Sequence, residues 1–104
     1  MEGIWYAHFK LGEASGEGVA VLHNGQIEGA DPLHTYSGSY QEDGPELYAN
    51  VRVSPHADSS RPADLTHPVT FFLKGSVNGD SAQVTGHPHN RPDALVSVEL
   101  HRGE

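Results

Sequence analysis

Cysteine is absent from the chain, which excludes disulfides, thiolate chemistry and any Cys-based zinc site. Apolar residues are scarce as well. They make up 36% of the sequence, below the usual share for a globular domain, so the core must be small. Long apolar runs are missing, and nothing approaches the roughly 18 consecutive residues of a membrane-spanning helix. Basic residues are few: six against fourteen acidic ones, for a formal net charge of -8. Such a surface repels phosphate backbones and anionic lipid, which argues against direct nucleic-acid or membrane binding and favours a basic partner. The opening residues Met1-Glu2-Gly3-Ile4-Trp5 carry neither a basic segment nor an apolar run, so no secretory signal is expected. A small domain without disulfides fits a reducing compartment, and the expected location is the cytoplasm.

What the chain has in quantity is punctuation. Twelve Gly and seven Pro interrupt 104 residues, and between them the apolar residues alternate. Trp5, Ala7, Phe9 and Leu11 share one face of the first run, while Tyr6, His8 and Lys10 share the other. A glycine-rich break is expected over 12–18, with Gly16-Glu17-Gly18 forming a bend or bulge. Strands are expected at 19–23, 26–30, 35–40, 47–53, 69–74, 82–85 and 94–100. Asn24-Gly25 and Asn78-Gly79 signal tight hairpins, because a type I′ turn needs positive φ at both central residues. Residues 54–68 and 86–93 read as loops, and no window supports an amphipathic helix. About eight short strands joined as hairpins predict a single all-β domain over 1–104. The expected architecture is a small up-and-down antiparallel β-barrel, since closure removes the exposed edges. Its interior should be mostly filled by Trp5, Phe9, Phe71, Leu73 and several valines, leaving at best a small apolar pocket.

The residues that carry chemistry are thinly spread. Eight His stand out, and His87-Pro88-His89 offers two metal ligands, with Asp93 or His101 as a third. Their loop fixes no geometry, so solvent-exposed histidines and no metal site are expected. No Ser sits in a nucleophile elbow, and Gly16-Glu17-Gly18 lacks the third glycine of a dinucleotide fingerprint. Glu42 and Asp43 are adjacent at a hairpin tip, whereas general acid catalysis needs one carboxyl buried. The sequence therefore predicts a non-catalytic binding protein without a cofactor. Glu42, Asp43 and Glu46 form a compact acidic tip suited to a basic protein partner. Tyr6, Tyr48 and Phe72 fall on the outer side of the alternation, where aromatic residues suit a homodimer interface.

Gly3-Ile4-Trp5, Gly16-Glu17-Gly18, the run Asn24 to Asp31 and Tyr36-Ser37-Gly38-Ser39-Tyr40 together resemble the GrlR-like family. These are bacterial negative regulators of type III secretion genes, and the resemblance covers about residues 2–53. It implies a small lipocalin-like barrel that dimerises and sequesters a transcriptional activator by protein contact. It also implies a role for an acidic tetrad, Glu-Asp-Glu-Asp, which falls here on Glu42, Asp43, Gly44 and Pro45. Only the first two positions match, and Glu46 lies one residue out of register. Ala30 stands where the family tends to have glycine. The other function left open is a small-molecule carrier, with an apolar ligand in the barrel mouth.

Overall fold

The computed structural model describes residues 1–55, 68–91 and 93–103. Eight strands follow one another: β1 (Gly3–Leu11), β2 (Ala14–His23), β3 (Gln26–Ala30), β4 (His34–Asp43), β5 (Glu46–Pro55), β6 (Val69–Asn78), β7 (Ser81–Pro88) and β8 (Val96–Arg102). Each pairs antiparallel with the next, and β8 returns to β1, so the sheet is a closed up-and-down barrel. No helix forms among the described residues, and none there is long and apolar enough to cross a membrane.

Period-2 alternation sets what faces inward. Trp5 and Ala7 on β1, Ala20 and Leu22 on β2, Ile27 on β3 and Leu47 on β5 are buried, whereas Ile4, Tyr6, Val19 and Val21 point out. Trp5 is fully buried, anchors the cluster with Leu22, Leu47 and Val84, and confirms the expected register of β1.

The two ends of the barrel differ. One carries the tight turns after β2, β4 and β6, and it is closed by side chains. There Trp5 Nε1 donates to the Met1 carbonyl at 3.1 Å, and the Arg102 guanidinium lies 4.5 Å from the Trp5 ring. Arg102 also bonds Asp80 at 3.0 Å and the Glu2 carbonyl at 2.6 Å. The opposite end carries the turn after β1, the 31–33 and 89–95 connections, and the point where β5 ends and β6 begins.

Two expectations need correction. In the glycine-rich stretch only Gly12-Glu13 is a turn; from Ala14 on it is strand without a bulge, since Gly16 and Gly18 pair in unbroken register with Phe9 and Ala7. The reason is space. A Cβ on Gly16 would meet the Phe9 ring at 2.6 Å, and one on Gly18 would meet the Tyr36 hydroxyl at 2.8 Å. These glycines are inward positions over which aromatic rings lie. Likewise β7 runs on to Pro88, so His87 and Pro88 belong to a strand, and the His89 amide donates to the Thr70 carbonyl at 2.7 Å. Part of the loop expected over 54–68 lies outside the described residues.

The turns also refine the reading. Asn24 and Gly25 both have positive φ, 51° and 77°, as a type I′ turn requires. In the second Asn-Gly pair only Gly79 does, because Asn78 still pairs with Ser81 and the turn is Gly79-Asp80. Gly12 and Gly44 repeat this pattern, with glycine at the first central position as type II′ turns prefer.

Candidate functional site

Inward-facing side chains do not fill the barrel. A cavity of about 140 Å³ runs along its interior, with Leu22 and Leu47 toward the closed end and Phe9, Leu11, Val53 and Phe71 toward the other. The atoms that face it are apolar. Phe9, Leu11, Tyr36 and Val53 point inward yet stay partly accessible, as residues around a void do.

One polar cluster is built into this wall. Asp31, at the start of the β3–β4 connection, folds its carboxylate back on its own turn and accepts from the Leu33 and His34 amides, both at 2.7 Å. His34 opens β4 and is buried to 3% exposure. Its Nδ1 faces Asp31 at 3.1 and 3.3 Å, so this ring nitrogen donates to the carboxylate. Nε2 is buried and has no partner among the described residues. Tyr36, two positions along the same inward face, donates its hydroxyl to Asp31. Its ring fits because Gly18 and Gly29 lack side chains; a Cβ on Gly29 would sit 3.1 Å from it.

Electrostatics follow from these contacts. Burial alone would raise the Asp31 carboxyl, but the Tyr36 hydroxyl, the two amides and His34 outweigh it and hold Asp31 below its ordinary range. Burial first, and then the Asp31 bond, pushes the Tyr36 hydroxyl strongly up. Asp31 is thus an anion engaged in holding the β3–β4 connection.

The acidic residues lie at the closed end. The β4–β5 turn is Gly44-Pro45, and Asp43 pairs with Glu46 across it. Glu42 accepts from the Met1 ammonium, and Glu46 accepts from the Tyr48 hydroxyl at 2.7 Å. That bond, ahead of slight burial, raises the Tyr48 hydroxyl. All three carboxylates are exposed.

The outer aromatics are divided. Tyr48 and Phe72 are exposed on adjacent strands β5 and β6, whereas Tyr6 is on β1, at the opposite wall of the eight-stranded ring. Around Tyr6 the register instead assembles a second apolar surface, with cross-strand pairs Tyr6–Val19 and Ile4–Val21, all exposed. His87 and His89 flank Phe72 edge-on, with centroids 6.1 and 5.4 Å away. His101 lies at the far end of β8 from them. Among the described residues no group of three or more His, Cys, Asp or Glu comes together to hold a metal.

Sequence reasoning passed over Asp31, His34 and Tyr36. The signal was present: His34, Tyr36, Gly38 and Tyr40 continue one alternation, and Asp31 stands three residues before His34. A strand expected to begin at Thr35 left His34 in a turn. No protein-family model matches the chain, and no curated protein matches it.

Proposed function

We propose that this chain is a non-catalytic binding barrel that holds one small, mostly apolar molecule in its interior. The supporting observation is the apolar cavity of about 140 Å³ around the barrel axis. An engineered apolar cavity of roughly 150 Å³ in another protein stays dry and takes up benzene, so the comparison sets the ligand size at one aromatic ring or a short chain. Drug-sized sites, at roughly 300–1,000 Å³, are larger. Ala49 on β5 lines the cavity, and Ala49→Leu should fill part of it. Toluene should raise the melting temperature of the parent in a concentration-dependent way, and the variant should lose that response. A parent whose melting temperature ignores toluene up to saturation contradicts the reading.

A second reading keeps the regulatory role that the GrlR-like resemblance implies: sequestering a basic activator in the cytoplasm by protein contact. The exposed surface of Ile4, Tyr6, Val19 and Val21 favours it, since soluble monomers seldom expose contiguous apolar patches without use. Capture of a basic cytoplasmic protein by the full chain, lost in Tyr6→Ser/Val21→Ser, is the expected result. Retention of the partner by that variant would remove this surface from the reading.

A further inference from the structure

The rim of the barrel carries a groove that adjoins the cavity. At the end of β1, consecutive pairs of the β1–β8 ladder alternate sides: Leu11–Val96 faces the cavity, and Lys10–Ser97 faces the groove. Leu11 borders both. Arg91, from the β7–β8 connection, lines the groove with Lys10. The chain has only six Lys and Arg against fourteen acids, and two of the six line this groove. Neither forms an ion pair among the described residues, whereas Arg102 is held by Asp80. Glu13 and Asp93 are exposed in the neighbouring connections but do not line the groove. Asp31, the one carboxylate bordering the cavity among the described residues, is engaged with Tyr36, His34 and two amides.

We infer that the ligand class is an amphipathic anion, with its ring or short chain inside the barrel and its acidic head at the rim between Lys10 and Arg91. The inference rests on the interior-binding reading and adds the head group to it. A tail that leaves the cavity past Leu11 would carry its head into the groove that Lys10 and Arg91 line, neither of them ion-paired among the described residues. A neutral head lacks the charge attraction, and a cationic one is repelled. Because the whole molecule is strongly negative, preference for an anion must come from this local pair and not from the overall field.

Calorimetric titration of the full chain with 3-phenylpropionate, 3-phenylpropan-1-ol and 3-phenylpropylamine separates tail from head, since only the head differs. The acid should bind about tenfold more tightly than the alcohol at low salt, the amine weakest, as two partly exposed ion pairs allow. Lys10→Gln/Arg91→Gln should bring the acid to the level of the alcohol and leave the alcohol unchanged. Both residues are exposed, and an unchanged far-ultraviolet circular dichroism spectrum confirms the variant's fold. Equal binding of acid and alcohol, tightest binding of the amine, or undiminished acid preference in the double variant overturns the anion inference alone. No binding of any of the three overturns the interior reading with it.

Discussion

Trp5 and Asp31 organise the two ends of the barrel by different physics. Trp5 contributes burial: it is the fully buried anchor of the core, and Trp5→Ala should cost about 3–5 kcal/mol. That approaches the whole stability of a small domain, so a variant melting within a few degrees of the parent would place the ring in solvent. Asp31 contributes hydrogen bonds. Its folded carboxyl titrates below the unfolded value of about 3.9, so its stabilisation is complete above that pH. It is lost as pH falls through the lower, folded value. Asp31→Asn should therefore lower stability at neutral pH and flatten the acid limb of the stability curve. An acid limb as steep as the parent's would assign it to other carboxylates, of which Glu2, held low chiefly by the Asn24 amide, is the first candidate. Trp5 was legible because it stands in phase with three other apolar residues. Asp31 was not, because a turn-forming aspartate reads the same whether its turn is solvated or packed against a cavity.

Strands and turns were legible wherever alternation was clean, as in β1, β3 and β5. They were misread where glycine interrupts β2. Glycine ordinarily weakens a strand, but here its missing side chain is what lets Phe9 and Tyr36 lie across the sheet. Gly29→Ala would bring a Cβ within 2.2 Å of the Val19 carbonyl oxygen and 3.1 Å of the Tyr36 ring, so the backbone itself must move. It should cost at least about 1–3 kcal/mol, the range for overpacking. Gly44 meets no neighbour, so Gly44→Ala suffers only from its φ of 62°, and about 1–2 kcal/mol is expected. Thermal melts of the two variants separate crowding from backbone strain, and an unaffected Gly29→Ala would contradict the packing of Tyr36. The acidic tip beside Gly44 belongs to this scale too. Replacing Glu42, Asp43 and Glu46 by Gln, Asn and Gln removes exposed bonds, so stability should move by no more than about 0.5 kcal/mol.

At the level of the whole molecule, hairpin after hairpin predicted a closed meander, and the sheet closes with every edge paired. The cavity was legible only as a bound on its size: a small apolar share and an eight-stranded ring leave limited room. Its shape depends on how far Phe9, Tyr36 and Phe71 reach across the axis, which alternation does not encode. The groove cations were equally hidden, because Lys10 and Arg91 are eighty-one positions apart and come to line one groove only through closure of β8 on β1. Self-association tests the protein-contact reading separately: light scattering at tens of micromolar should return twice the 11.2 kDa chain if the outer apolar face is used. A return of the single-chain mass would leave that face without a second copy. The interior claim is tested most directly by methyl-detected nuclear magnetic resonance during a toluene titration. Saturable shifts confined to inward methyls such as those of Leu73, Val84 and Val98, with Val19, Val21 and Leu95 unmoved, are the expected result. Shifts confined to the outward methyls, or none at all, would contradict a ligand held inside the barrel.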